Sequence, residues 1–139
     1  MDFNKEDIKT EISLFVSANG LRFNEVVLGL GATLVFLGVR ETCNKISLAV
    51  KSDRFKHFTE QGYPKRTTMT GECLDYNRYI CIHQVQPSDV IEKEQFKILS
   101  PQYALSCKIR LQGNLRRSEQ DRICDLQDIV ALEEMTTVH

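Results

Sequence analysis

Ile8, Ile12, Phe15 and Ala18 recur at three- to four-residue spacing between Asn4, which suits an N-cap, and the stop signal Asn19-Gly20, so the chain is predicted to open with an amphipathic helix. Glu25 to Leu30 is short, β-branched near its start and closed by glycine. It predicts a buried strand turning through Gly31 into a brief helix, Ala32 to Leu37, that Gly38 ends. Ile46 to Val50 predicts a second strand, followed by Ser52 as N-cap of a helix carrying Phe55 and Phe58 and stopping at Gly62. From Tyr63 to Val85 the threonines, tyrosines and isoleucines, interrupted at Gly71, predict two or three more strands, with Tyr79 to Val85 the clearest. Pro87 to Lys93 reads as a polar connection.

Pro101 fits the first position of a helix that runs to Gln112, places Ala104, Leu105 and Ile109 on one side and ends at Gly113-Asn114. A last helix over Ser118 to Glu134 sets Ile123, Leu126, Ile129, Val130 and Leu132 on one stripe, with Met135 to His139 as a fraying tail. There is no repeat, low-complexity tract or linker. The expectation is a single domain over 1–139 of α/β (α+β) class, a mixed central sheet flanked by helices and finished by C-terminal helices.

Composition narrows the function classes. The chain has 139 residues, 42% of them apolar, which is enough for one core. A net charge of −1 gives no broad electrostatic attraction to nucleic acid or an anionic membrane. The longest uncharged run, Val26 to Val39, is 14 residues and is broken by Gly29, Gly31 and Gly38. Crossing a bilayer takes about 20 residues, so no membrane association is expected. The first dozen residues lack the apolar stretch of a secretory signal. Cys43, Cys73, Cys81, Cys107 and Cys124 are odd in number and show no CxxC spacing. They are expected to be reduced thiols in a cytoplasmic protein.

The segment from Leu28 to Leu48, with Gly31, Gly38, Arg40, Thr42, Ile46 and Leu48 in register, resembles the nucleotidyltransferase superfamily, and within it the minimal and abortive-infection type enzymes. Their pattern runs Gly-Gly, a short apolar helix, Gly-Leu-Arg, a threonine-containing turn and Asp-Ile-Asp-Leu. Tyr76-Asn77-Arg78-Tyr79-Ile80-Cys81-Ile82-His83 is similar to the strand bearing that family's third carboxylate. Ile98-Leu99-Ser100-Pro101, Lys108 and the Arg117 to Leu132 helix, with Asp125, Asp128 and Ile129, look like its C-terminal helices. The likeness spans about Glu25 to Glu134 and implies that fold. In such an enzyme two carboxylates at alternate positions of one strand and a third on a neighbouring strand hold Mg²⁺, while the glycine turn brings backbone amides to phosphate.

At the three carboxylate positions this chain has Lys45, Ser47 and Cys81, and Leu30 replaces the first glycine of the pair. The formal charge of the implied site changes from about −3 to about +1, and a thiol is a soft ligand ill matched to magnesium. No catalytic residue, metal or other cofactor is therefore expected. The expected function is a catalytically inactive nucleotidyltransferase-fold protein that serves as a binding or regulatory module for a nucleotide, a structured RNA or a partner protein; oligomerisation is left open. The residues singled out for a ligand or phosphate are Gly31, Arg40, Lys45, Ser47, Lys108 and Arg117, with Lys45 as a point charge beside the Gly31 turn. Two alternatives stand beside it. An active Mg²⁺-dependent enzyme would move NMP from NTP to a protein or RNA hydroxyl, recruiting carboxylates from Glu41, Asp53, Glu72 or Asp75. The other is a small phage or mobile-element inhibitor acting by protein–protein contact. The basic stretch Lys108 to Arg122 reads first as a solvated face and second as an RNA contact. Cys81 and His83 alternate on a strand and are expected to share a face, without the further partners that zinc or nucleophilic catalysis needs.

Overall fold

The computed structural model describes residues 1–68, 71–84 and 87–137. Five helices, α1 (Lys5–Ala18), α2 (Leu30–Phe36), α3 (Ser52–Glu60), α4 (Pro101–Leu111) and α5 (Glu119–Thr137), accompany seven strands. The strands are β1 (Val27–Leu28), β2 (Ile46–Ala49), β3 (Lys65–Thr68), β4 (Gly71–Asp75), β5 (Ile80–His83), β6 (Val90–Lys93) and β7 (Phe96–Leu99). They form one mixed sheet in the order β3-β4-β5-β2-β1-β7-β6. β2 runs parallel to β5 and β1 parallel to β7, and the other pairs are antiparallel.

Local chemistry accounts for most boundaries. The Asn4 side chain accepts from the Asp7 amide while Asp7 accepts from the Asn4 amide, a reciprocal cap that starts α1. Ser100 accepts from the Tyr103 amide and Pro101 occupies the first turn, which starts α4. Gly38 and Gly62 end α2 and α3 at positive φ of 78° and 84°. Ser52 is not a cap: it is the first helical residue of α3, and Lys51 precedes it with no side-chain cap.

One sheet face carries the main core, where Leu28, Ile46, Leu48, Leu74, Ile82 and Ile98 pack against Ile8, Ile12 and Phe15 of α1 and Phe55 and Phe58 of α3. Leu48 and Ile82 have no exposed surface, so this layer supplies the largest share of hydrophobic stabilisation. The opposite face buries Val27, Ala49 and Leu99 beneath Leu30 and Tyr103. Thr33 joins α2 to β1 and β7, donating to the Leu28 carbonyl at 3.4 Å and accepting from the Leu99 amide at 3.1 Å.

The structure corrects four further expectations. Residues 90–99 form the hairpin β6–β7 rather than a polar connection running into Lys93. Its two-residue turn, Glu94-Gln95, has φ of 51° and 68°, the signature of a type I′ turn built without glycine or asparagine. The strain is offset locally by Lys5 and Lys9 of α1, which both grip the Glu94 carboxylate. Second, the turn out of β1 is made at Gly29, which caps α2, and Gly31 lies inside the helix. Third, the expected stripes of the last two helices are turned: Ile109, Ile123, Leu126 and Val130 are exposed, whereas Lys108, Asp125 and Asp128 are buried with Ala104, Ile129 and Leu132. Fourth, Met135 to Thr137 continue α5 instead of fraying. Val85, placed by sequence in the β5 strand, and the last two residues of the tail lie outside the described residues.

Candidate functional site

Between the second sheet face and α4 lies an open groove of about 730 Å³, a volume in the range of small-molecule sites. Strand pairing decides what reaches it. Ser47 of β2 is in register with Cys81 of β5, and Ala49 with His83. On the other side of β5, Cys73 of β4 opposes His83 and Asp75 opposes Cys81. Alternation therefore puts Ser47, Cys81, His83 and Cys73 on one face. Ser47 and His83 line the polar end of the groove with Glu72 and Gln84, while Val27, Ala49, Leu99 and Tyr103 form an apolar wall and Arg110 marks the rim.

The polar end is a short chain of contacts. Ser47 Oγ stands 3.3 Å from Cys81 Sγ, and Cys81 Sγ is 3.5 Å from His83 Nε2. Burial, helped by the Arg66 charge, holds the His83 imidazole below its ordinary pKa, so it is neutral at pH 7. Burial likewise raises the Cys73 thiol. Arg66 is itself engaged by Asp75 through contacts of 3.1 and 3.3 Å.

The six residues singled out by sequence separate into three places. Ser47 lies in the groove. Lys45 is exposed at the residue before β2, and its carbonyl, not its ammonium, approaches Gly31. Arg40, Lys108 and Arg117 gather elsewhere, around two carboxylates of α5. Arg40 binds Asp128 through Nε at 3.1 Å and a terminal nitrogen at 2.6 Å. Lys108 Nζ lies 2.7 Å from Asp125 and 2.9 Å from Asp128, and Arg117 Nε is 2.7 Å from Asp125. These three cations fasten α4 and α5 to the end of α2 instead of lining the groove. That reverses the expectation that Lys108 and Arg117 present charge to a ligand. Burial opposes ionisation of Asp125, but the Lys108 and Arg117 hydrogen bonds outweigh it and hold its carboxyl below the usual range.

The carboxylates considered for an active site are scattered or paired. Glu72 meets Lys65 at 3.5 Å and Asp75 meets Arg66. Asp53 accepts from the Arg54 amide at the start of α3, and Glu41 is exposed in the turn before β2. Among the described residues no three histidine, cysteine, aspartate or glutamate side chains are grouped to hold a metal ion.

Sequence reading passed over Gly29 and Tyr103, and took Arg110 only as part of the basic stretch Lys108 to Arg122. The signal for Gly29 was present: of the two glycines after β1, only the first sits where strand gives way to helix. A Cβ on Gly29 would stand 2.7 Å from Ser47 Cβ, and its amide donates to the Ser47 carbonyl at 2.7 Å. At Gly31 the nearest atoms would be 3.5 Å away, an ordinary contact. Gly29→Ala is therefore expected to destabilise by about 1–3 kcal/mol. Gly31→Ala, inside a helix, should stabilise by roughly 0.5–1 kcal/mol. Urea unfolding of both variants measures the opposite signs; equal effects would show that Gly29 is not the close-approach position. No family model, curated protein or solved structure matches the chain.

Proposed function

We propose that the chain is a non-catalytic binding domain of nucleotidyltransferase-like type whose groove takes a nucleotide without a metal ion. The observation that carries this reading is the Ser47 hydroxyl, on a residue that lines the groove, 3.3 Å from the Cys81 thiol behind it, at two of the three positions the resemblance assigns to carboxylates. A pair of neutral groups cannot attract the divalent ions that would neutralise a triphosphate and activate a hydroxyl. The strand, short helix and strand over 27–49, with β5 parallel to β2, supply the juxtaposition of positions 47 and 81 on which the resemblance depends.

The remaining lining suits a base better than a chain of phosphates. A planar ring would lie against the apolar wall of Val27, Ala49, Leu99 and Tyr103, where apolar burial and contact with the Tyr103 ring both contribute. Ser47, His83 and Gln84 offer hydrogen bonds to its edge, and Arg110 at the rim is the cation nearest to an emerging phosphate. An RNA contact along Lys108 to Arg122 is less well supported, because Lys108 and Arg117 are neutralised by Asp125 and Asp128.

Calorimetric titration with ATP, GTP, CTP and UTP, each with and without Mg²⁺, tests the reading. At least one nucleotide is expected to bind with an affinity indifferent to Mg²⁺, and Tyr103→Ala should weaken it by about tenfold or more. Absence of binding by all four would overturn the proposal. Mg²⁺-dependent pyrophosphate release would establish the active alternative.

A further inference from the structure

The seven-stranded sheet has two edges, β3 and β6, and they are built differently. β3 is Lys65-Arg66-Thr67-Thr68, two bases and no apolar residue, which is how an edge is kept from pairing. β6 is Val90-Ile91-Glu92-Lys93, and its Ile91 is 38% exposed. We propose that β6 is the contact by which two copies of this chain associate, edge to edge and antiparallel, about a two-fold axis at Ile91.

Backbone geometry fixes the register. Lys93 and Phe96 flank the two-residue turn, Ile91 pairs with Ile98, and the Ser100 amide donates to the Asp89 carbonyl at 3.0 Å. Hydrogen-bonded pairs alternate along an antiparallel ladder, so Asp89, Ile91 and Lys93 turn their backbone polar groups inward to β7. Val90 and Glu92 turn theirs outward, where no strand of the described residues meets them. A second β6 can bond only through these same two residues. Setting Val90 against Glu92 of the second copy exchanges both N–H···O bonds, twice by symmetry, and leaves Ile91 facing Ile91 in the close, non-hydrogen-bonded pair. The next close pair on either side is Asp89 against Lys93. Asp89 is exposed and Lys93 half-buried, and among the described residues neither side chain takes part in an ion pair. Opposite charges directly across two strands attract, so this edge complements itself. Other registers lose that match: centring on Glu92 opposes two carboxylates, and centring on Val90 sets Asp89 against Ile91. Helix α5 has a competing apolar face, Ile123, Leu126 and Val130, but antiparallel pairing of Ile123 with Val130 there brings Glu119 against Glu134. A contact one short strand wide is smaller than the about 1,200–2,000 Å² of stable complexes, so the dimer dissociates on dilution.

Sedimentation velocity of the full chain, kept reduced and loaded from about 10 µM to about 1 mM, should show a monomer–dimer equilibrium. Glu92→Pro removes an outward N–H and no bond to β7, and should weaken dimerisation by about tenfold or more. Lys93→Asp and Asp89→Lys each place like charges opposite one another and should do the same. The exchanged pair Asp89→Lys/Lys93→Asp should restore dimerisation to within about threefold of the parent. Circular dichroism checks that each variant folds, and cross-linking reads the register independently. Ile91→Cys in a Cys107→Ser/Cys124→Ser background should give a disulfide-linked dimer on mild oxidation, because the close pair stands within bridging distance. Glu92→Cys, two residues out of register with itself, should not. A parent that stays monomeric throughout, a dimer indifferent to Glu92→Pro, or exchanged charges that fail to rescue would overturn the proposal, as would a dimer abolished by Leu126→Glu and untouched by the β6 variants. What the groove binds does not enter, so this result and the nucleotide titration can fail separately.

Discussion

Asp125→Asn is expected to destabilise the fold by about 3–5 kcal/mol, a fall of about 10–20 °C in Tm for a chain of this size, while Lys108→Met costs far less. The asymmetry follows from charge bookkeeping in the buried cluster. Arg40, Lys108 and Arg117 face only Asp125 and Asp128, so the site carries one more cation than anions. Removing Asp125, which has no exposed surface, leaves three cations on a single carboxylate, with Lys108 unable to reach water. Removing Lys108 leaves two matched pairs, Arg40 with Asp128 and Arg117 with Asp125, and methionine occupies the volume of the lysine stem. Such a replacement is neutral or even stabilising in other buried networks. The double variant Asp125→Leu/Lys108→Met should accordingly be more stable than Asp125→Leu alone, because Arg117 is part-exposed and can turn outward. Thermal unfolding of the four proteins checks this; a Lys108→Met loss equal to that of Asp125→Asn would overturn it.

The same cluster fixes a pH response. The Asp125 carboxyl is held below its ordinary value in the fold, so the unfolded chain takes up that proton first as pH falls. The stabilisation is complete above the ordinary aspartate range near 3.9 and is lost as pH drops from there through the folded value. Asp125→Asn should lack this part of the acid limb. Denaturant titrations at pH 6, 4 and 3 compare the two proteins directly.

How much of this was legible in the sequence depended on the range of the interaction responsible. Helix α1 was readable from Asn4, and α4 from Ser100 and Pro101, because a cap and its helix are neighbours in the chain. The β6–β7 hairpin was not, since Glu94 and Gln95 lack the usual turn chemistry and the lysines that hold Glu94 come from the first helix. Helix α5 misled for a related reason. A stripe of Ile123, Leu126 and Val130 predicts burial by periodicity, but Asp125 and Asp128 take the inner face because Arg40 and Lys108, distant in sequence, are there to neutralise them. For the groove, Ser47 was picked out together with Cys81 by the resemblance, and the shared face of Cys81 and His83 was legible from strand alternation. Tyr103 and Arg110 were not, because their place depends on how α4 lies over the sheet.

The second large effect concerns the variant Lys45→Asp/Ser47→Asp/Cys81→Asp. In the absence of metal it is expected to unfold well below the parent: the Ser47 and Cys81 side-chain atoms are 3.3 Å apart and Cys81 is buried, and two carboxylates at that separation cannot both ionise without strong mutual repulsion. Mg²⁺ supplies the missing charge and oxygen-seeking coordination. At a concentration one hundred times its dissociation constant it adds about 2.7 kcal/mol, a gain the parent should not show. The Ser47→Asp/Cys81→Asp pair separates the contributions, because Lys45 is exposed before β2 and its carboxylate replacement matters only if it swings toward the other two. Differential scanning calorimetry with Mg²⁺, and with Ca²⁺ as a larger cation, reads the result. Equal responses of parent and triple variant would mean that positions 45, 47 and 81 do not converge as the resemblance requires, and the groove would then have to be understood from its apolar wall alone. A Mg²⁺ response confined to the triple variant would mean that positions 45, 47 and 81 converge on one point as the resemblance requires.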